Sequence, residues 1–303
     1  MMNDNKAKNS VRFAPAARPA LHVQLPHPKS KEYYIMHYET HKLSLPGSAD
    51  YARFTTYFLE VSKEIPCGLR PTVVVCPGGG YGMTSDREAE PIALAYNAAG
   101  INTVVVRYSV APARFPTALL EVATVVRYVR EHGPEFGCDP NRIFVTGFSA
   151  GGHLTASYGN FWSRPFVAET LGCDPEVLRP NGQILCYPVI TCGEYAHHGS
   201  FKNLLGDAYE AEKENHSLEN FVSQDTPPTF IWHTQSDNAV PIENSIFLLN
   251  ALQKNHIKTE FHMYPEGVHG LSLCNEITGQ RPEMIVPHAA GWINLAIEFV
   301  KSF

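Results

Sequence analysis

A predicted strand, a sharp turn and a predicted helix follow one another near the middle of the chain. Arg142 to Thr146 is typical of a short buried strand, and Leu154 to Tyr158 favours a helix. Between them, Gly147 and Gly151 flank Ser149. Glycine lets the backbone turn sharply and lets neighbouring chain approach closely. The pattern therefore predicts a serine at the tip of a strained turn, with the N–H groups of a helix start behind it.

Segments that favour strands and helices alternate along most of the chain. Pro71 to Cys76 is a β-branched run, as expected of a strand buried on both faces. Further strands are predicted at residues 101–108, 143–146, 182–188, 228–234 and 259–264. This alternation predicts an α/β fold with a mostly parallel central sheet and helices on both faces.

The same pass along the chain divides it into an extension and one domain. Residues 1–45 are expected to form an N-terminal extension, and residues 46–303 a single domain that carries the functional site. Residues 193–226 are polar and irregular between two predicted core strands. Because binding groups often lie on such segments, we expect an insertion that forms a lid or a pocket wall.

Charge and composition exclude several classes of protein. The 303 residues carry a formal net charge of -6, so no basic surface for nucleic acid is expected. No apolar run reaches the roughly 18 residues that a membrane span needs. Residues 1–30 lack the apolar segment of a secretory signal, and the seven cysteines show no metal-binding spacing. We expect a cytoplasmic protein that forms a homo-oligomer and binds neither membrane nor metal.

Two further polar residues lie directly after predicted strands. Asp237 follows the strand at 228–234, and His269 follows the strand at 259–264. Taken alone, Asp237 could cap a turn and His269 could be a surface histidine. Together with Ser149 they occur in the order serine, acid, histidine, which favours a catalytic triad. His269 would accept the serine proton, and Asp237 would orient the imidazole ring.

A glycine-rich loop, Pro77 to Gly82, follows the strand that ends at Cys76. A phosphate-binding loop is not favoured, because no Lys-Ser or Lys-Thr pair follows and the spacing is not Gly-x-Gly-x-x-Gly. The position after a buried strand instead predicts an oxyanion hole. Its donors would be the backbone N–H groups of Gly79, Gly80 and Ala150.

Together these motifs resemble the α/β-hydrolase esterases related to hormone-sensitive lipase, and among them the bacterial acetyl esterases and acetyl-xylan-esterase-like proteins. The resemblance covers roughly residues 50–300 and rests on Pro77–Tyr81, Ser85–Ala93, Arg107–Pro112, Gly147–His153 and His269–Leu273. It implies an α/β-hydrolase fold, no cofactor, and a small ester as substrate, acetyl esters above all, including those of sugars. Pro77 replaces the first histidine of the lipase loop, so this loop must be held in place differently.

Three residues are candidates for contact with substrate. Tyr81 and Trp232 could line a pocket, although aromatic residues at such positions more often lie in the core. Arg87 could contact substrate or support the glycine-rich loop, or it could belong to a solvated helix start.

Two other functions remain open. A prolyl-oligopeptidase-like peptidase shares the triad and the fold, but it also needs a propeller, for which the roughly 50 residues before the core are too few. A non-catalytic binding protein on the same fold is the second alternative. The triad and oxyanion positions are all filled by competent residues, which favours the esterase.

Overall fold

The computed structural model describes residues 36–65 and 67–303. From Met36 onward the described chain belongs to one compact unit. Residues 1–35 of the predicted extension therefore lie outside the described residues. None of the helices in the described part of the chain is long and apolar enough to cross a membrane.

Within the described residues, eight strands form one sheet in the order β1-β2-β4-β3-β5-β6-β7-β8. The strands are β1 His37–Lys42, β2 Arg53–Phe58, β3 Arg70–Cys76, β4 Asn102–Arg107, β5 Cys138–Phe148, β6 Gly182–Cys186, β7 Thr229–Thr234 and β8 Thr259–Tyr264. The two pairings that involve β2 are antiparallel, and all others are parallel. The predicted mostly parallel sheet is confirmed.

Helices cover both faces of this sheet. They are α1 Glu90–Ala98, α2 Thr117–His132, α3 Ala150–Phe161, α4 Pro165–Leu171, α5 His198–Leu205, α6 Tyr209–Glu212, α7 Glu243–Lys254 and α8 Trp292–Lys301. Side chains of α2, α3 and α7 pack with one set of strand residues, and those of α1 and α8 pack with the other set. Within β3, Val74 belongs to the first core, whereas Val73 and Val75 belong to the second. This alternation follows from the two-residue period of a strand.

One boundary of the sequence prediction was wrong. Strand β1 lies inside the predicted extension 1–45 and pairs along its whole length with β2, from His37 opposite Phe58 to Lys42 opposite Arg53. As an edge strand it is exposed on most positions. It therefore lacks the apolar run by which the buried strands were recognised.

The register of the sheet brings the candidate loops together in pairs. Cys76 at the end of β3 lies opposite Gly147 of β5, so the glycine-rich loop and the Ser149 turn leave neighbouring strands at the same level. Thr234 at the end of β7 likewise lies opposite Tyr264 of β8. All four loops leave the carboxyl edge of the sheet, where open α/β sheets place their ligands.

Candidate active site

Ser149 occupies a strained turn between β5 and α3. Its φ is 53° and its ψ is -118°, a conformation that non-glycine residues rarely adopt. Three backbone hydrogen bonds hold it: its N–H donates to Cys186, and its carbonyl accepts from His153 and Val189. Such strain persists only where the surroundings enforce it, and it is common at functional sites.

The glycines on either side of Ser149 are required by close backbone contacts. A Cβ at Gly147 would lie 2.1 Å from the carbonyl oxygen of Gly151. A Cβ at Gly151 would lie 2.2 Å from the carbonyl oxygen of Cys76, and one at Gly78 would lie 3.1 Å from Ser149 Cβ. The helix start, the serine turn and the glycine-rich loop are thus packed backbone to backbone, as the sequence pattern predicted.

Asp237 lies after β7, with its side chain fully buried. One carboxylate oxygen, Oδ1, accepts the backbone N–H groups of Ala239 and Val240, each at 2.9 Å. The other, Oδ2, lies 2.7 Å from His269 Nδ1 and 3.3 Å from His233 Nε2. Burial alone would raise the pKa of this carboxyl, but the hydrogen bonds and charges of the two histidines hold that pKa below its usual range.

His269 connects Asp237 to Ser149. Its Nδ1–H donates to Asp237, and its Nε2 accepts the Ser149 hydroxyl at 2.7 Å. The imidazole keeps 19% of its surface exposed, and the ring of Tyr187 packs against it at 5.2 Å between centroids. The three side chains predicted from separate loops form one continuous hydrogen-bonded chain.

His233 is a part of this arrangement that the sequence motifs did not identify. It is fully buried on β7; its Nδ1 accepts from Ser245 Oγ at 2.7 Å. Its Nε2 faces the carbonyl of Val240 and the Asp237 carboxylate, two acceptors, so this nitrogen carries the proton. The only signal in the sequence is its position four residues before Asp237.

The glycine-rich loop faces the same serine. Within the described part of the chain, the backbone N–H groups of Gly79, Gly80 and Ala150 make no hydrogen bond to protein. The φ of Gly79 is 134° and that of Gly80 is 62°, which only glycine adopts readily. These two glycines set the path of the loop beside Ser149.

Arg87 and Glu88 hold two of the loops of the candidate site. The Arg87 guanidinium donates to the carbonyl of Thr278 at 2.6 Å and to that of Gly270, the residue after His269. The buried Glu88 carboxylate accepts the N–H of Gly78 at 2.9 Å and the hydroxyl of Tyr187 at 2.6 Å. Arg87 thus contacts the loop after His269 and not the glycine-rich loop that was one alternative for it, since that loop is contacted by Glu88.

Tyr187 completes this bracing and was missed by the sequence analysis. Its hydroxyl donates to Glu88 and accepts the backbone N–H of Ser272 at 2.9 Å. Its φ of 38° is unusual for a tyrosine, and its ring is buried. The glycine-rich loop and the histidine loop are therefore joined through one carboxylate and one phenol.

Of the two places left open for Trp232, a pocket wall or the core, the structure shows the core. Trp232 is fully buried on β7 and stacks on Trp292 of α8 at 5.1 Å between ring centroids. Because strand residues alternate between faces, its ring points into the second core, away from the loops. Trp232 is a core residue.

Tyr81 is also buried and contacts protein instead. Its hydroxyl donates to His153 Nδ1 at 2.9 Å, and His153 Nε2–H donates to the carbonyl of His216 at 2.9 Å. Of the two places left open for Tyr81, a pocket wall or the core, its burial and its contacts are those of a core residue. Tyr81 ties the glycine-rich loop to α3 and to the insertion.

Burial of His153 predicts a loss of stability in acid. Desolvation lowers its pKa to about 3, from 6.5 in the unfolded chain. The stabilisation that depends on neutral His153 is therefore complete above pH 6.5. The free energy of unfolding falls by about 3 kcal/mol as the pH falls to 4. In His153→Gln, unfolding should take up about one proton fewer near pH 5. Chemical denaturation across pH 4–7 measures this.

His132→Gln, which replaces an exposed histidine, is the matched control. The pH dependence of its free energy of unfolding should follow that of the unaltered protein. Equal slopes for His153→Gln and the unaltered protein would contradict the prediction.

The segment at 193–226 lies against the glycine-rich loop. It contains α5 and α6 joined by short 3₁₀ turns. Asn203 Nδ2 donates to the carbonyl of Gly80 at 2.8 Å, and Phe201 packs against His153. His197 caps the start of α5, where its Nδ1 accepts the N–H of Ser200. The segment therefore packs directly beside the glycine-rich loop.

A family model described as the alpha/beta hydrolase fold matches residues 73–273. The chain belongs to the α/β-hydrolase fold family. The match includes the glycine-rich loop, Ser149, Asp237 and His269 of this α/β hydrolase.

Several curated proteins are similar to the α/β hydrolase. Endo-1,4-β-xylanase B of Butyrivibrio fibrisolvens is 35% identical over 217 residues, which cover 68% of this chain and 33% of that protein. The acetylxylan esterase of Xylanibacter ruminicola is 33% identical over 205 residues, which cover 65% of this chain and 40% of that protein. The chain thus spans less than half the length of these two relatives.

Solved structures match over a larger share of their length. An acetyl ester-xyloside bifunctional hydrolase from Caldicellulosiruptor lactoaceticus has a TM-score of 0.72 and 36% identity, covering 86% of this chain and 91% of that one. A carboxylesterase from Lactobacillus plantarum has a TM-score of 0.77 and 28% identity, and the match covers 88% of this chain and 98% of that one. The fold of the α/β hydrolase is thus that of solved esterases.

Proposed function

We propose that this α/β hydrolase is a serine carboxylesterase that cleaves short-chain acyl esters, acetyl esters above all. The observation that carries the proposal is the hydrogen-bonded chain from Asp237 through His269 to Ser149. It lies beside a loop whose N–H groups are available to an oxyanion. A serine hydroxyl becomes nucleophilic when a base of this kind is within hydrogen-bond reach.

In the acylation step, Ser149 Oγ attacks the ester carbonyl while His269 Nε2 takes its proton. Asp237 stabilises the imidazolium and keeps the ring in the orientation in which Nδ1 carries a proton. His269 then returns the proton to the leaving alcohol, and the acyl group stays on Ser149. Water, deprotonated by His269, releases the acid and restores the serine.

The negative charge of each tetrahedral intermediate falls on the former carbonyl oxygen. The backbone N–H groups of Gly79, Gly80 and Ala150 supply donors for it, and each such donor is worth about 3 kcal/mol in the transition state. The loop that carries Gly79 and Gly80 is preorganised, because Glu88 accepts the N–H of Gly78 and Asn203 donates to the carbonyl of Gly80.

The names of similar proteins suggest the substrate class. One relative is an acetylxylan esterase, and one solved structure is that of an acetyl ester-xyloside hydrolase. We therefore propose acetyl groups on sugars, xylo-oligosaccharides among them, as substrates. Turnover should fall steeply as the acyl chain lengthens, which a series of p-nitrophenyl esters from acetate to octanoate measures.

Covalent labelling tests the proposal directly. A fluorophosphonate probe should add to Ser149, and mass spectrometry of the digested protein locates the adduct. A protein without an adduct at Ser149 would be the non-catalytic alternative. Cleavage of a proline-containing peptide, with p-nitrophenyl acetate left intact, would indicate the peptidase.

Arg87 gives a prediction that separates support from substrate contact. In Arg87→Gln the carbonyls of Gly270 and Thr278 lose their donor, so the His269 loop should lose its fixed position. We expect kcat to fall roughly 10- to 100-fold, since small misplacements of a catalytic group are costly. KM should change by less than about threefold, because binding is not lost.

Steady-state kinetics with p-nitrophenyl acetate measures the two constants. The matched control is Arg130→Gln, since Arg130 donates to three backbone carbonyls, those of Pro140, Val177 and Arg179. A rise in KM at constant kcat for Arg87→Gln would instead assign Arg87 to substrate binding.

A further inference from the structure

A cavity of about 600 Å³ lies beside α3, outside the site described above. Its walls come from the end of α3, the start of α4, parts of residues 204–221 and the turn before α2. Four aromatic side chains dominate it: Phe115, Phe161, Phe166 and Phe221. Cavities of this size and apolar character are typical of small-molecule sites.

The cavity is separate from Ser149. Neither the triad nor the glycine-rich loop contributes to its walls. Ser149 and Phe161 stand at opposite ends of α3, roughly 18 Å apart at the rise of an α-helix. His153 and Phe201, which pack against each other, fill the space along the helix nearer to the serine.

Two guanidinium groups line the cavity without a carboxylate partner in the described part of the chain. Arg164 lies over the rings of Phe161 and Phe221, at 5.1 and 5.9 Å from their centroids. Arg114 donates to the carbonyl of Asn203 at 2.8 Å, and both side chains are exposed to solvent. An exposed guanidinium beside aromatic rings is well placed to pair with an anion.

His216 adds a buried polar atom to this wall. The residue is 4% exposed, and its ring meets that of Phe115 at 4.4 Å between centroids. Its Nδ1 has no hydrogen-bond partner among the described residues. A buried nitrogen without a partner is costly, so a ligand that supplies one would be favoured.

Glu212 is the acid of the lining, and it is already engaged. Its carboxylate accepts the side-chain amide of Asn215 at 2.8 Å. Two arginines against one glutamate leave the cavity with a net positive wall. An apolar interior with positive groups at its edge suits a ligand that has an apolar body and one negative charge.

We propose that this cavity binds a small monocarboxylate with an aromatic body. The ring system lies among the four phenylalanines, and the carboxylate pairs with Arg164 and Arg114. The His216 imidazole supplies a further hydrogen bond. The site is independent of the proposed esterase activity, since it shares no residue with the triad.

Calorimetric titration with 2-naphthylacetate, here the carboxylate anion of 2-naphthaleneacetic acid and not the ester of 2-naphthol, tests whether the two arginines recognise a negative charge. 2-Naphthylacetamide has the same apolar body without the charge and serves as the matched ligand. The carboxylate should bind at least about tenfold more tightly, as expected for one charge-assisted hydrogen bond. Equal affinities for the two ligands, or no binding of the carboxylate, would overturn the proposal.

Two pairs of variants locate the site. Ala208 lines the cavity and is exposed, so Ala208→Trp should fill it and weaken 2-naphthylacetate binding more than about tenfold. Ala211→Trp, nearby on α6 and outside the lining, should bind as the unaltered protein does. Arg164→Gln should also weaken binding, whereas Arg179→Gln, which loses a similar contact with Trp162, should not.

The two pairs keep the test decisive. Should Ala208→Trp fail to fold, the arginine pair still answers the question, because both arginines are exposed. Unchanged affinity in Ala208→Trp and in Arg164→Gln would place the ligand elsewhere and refute the proposal.

Discussion

Replacement of Ser149 by alanine should lower kcat for p-nitrophenyl acetate by about 10⁴- to 10⁶-fold. The alanine removes the only atom that forms the acyl-enzyme bond, while the oxyanion donors and His269 stay in place. Folding should be preserved, since alanine fits the space of serine and the backbone bonds to Cys186 and Val189 do not involve the side chain. Initial rates at saturating ester, with thermal unfolding as the check on folding, measure the effect.

Ser163→Ala is the matched control for this variant. Ser163 follows the same helix, and its hydroxyl donates to Asp225 at 2.8 Å, away from the triad. It should retain the full rate. A Ser149→Ala protein that still turned over ester at a rate near that of the control would require a different nucleophile.

Residues that act through backbone shape could be predicted from the sequence. Gly147, Ser149 and Gly151 were identified because a serine between two glycines stands between a predicted strand and a predicted helix, a context that favours a sharp turn. Asp237 and His269 were identified because both follow buried strands in the expected order. Such signals are local, and the parallel sheet converts them into one site by aligning the carboxyl ends of its strands.

Side-chain direction could not be predicted in the same way. Trp232 lies five residues before Asp237, yet its ring points into the core against Trp292. A shift of one residue along a strand exchanges the two faces, and no motif marks which face holds the pocket. Tyr81 lies inside the glycine-rich loop, and only the three-dimensional position of His153 explains why its ring is buried.

Contacts between distant segments were also beyond the sequence. Glu88 reaches Tyr187 across 99 positions, and Arg87 reaches Gly270 across 183. This bracing answers the question raised by Pro77, because a carboxylate from the α1 region supports the loop. The same carboxylate accepts the Tyr187 hydroxyl, and the Tyr187 ring packs on His269, so the glycine-rich loop and His269 are positioned together.

Asp237→Asn should lower kcat by about 10⁴-fold, as expected when the imidazole adopts the wrong tautomer. The structure indicates which way the new amide will point. Oδ1 accepts two backbone N–H groups, from Ala239 and Val240, so the asparagine oxygen must take that position. Its NH₂ group then faces His269 Nδ1, where the carboxylate oxygen had been.

An amide donor at this place reverses the polarity of the hydrogen-bonded chain. His269 Nδ1 must become the acceptor, which moves the ring proton to Nε2, so Nε2 can no longer accept the Ser149 proton. Asp174→Asn is the matched control, because its Oδ1 also accepts a backbone N–H, that of Glu176 at 2.9 Å, in the turn that leads to β6. In steady-state kinetics, kcat of Asp174→Asn should equal that of the unaltered protein. A loss of less than about tenfold in Asp237→Asn would mean that His269 is oriented without the carboxylate.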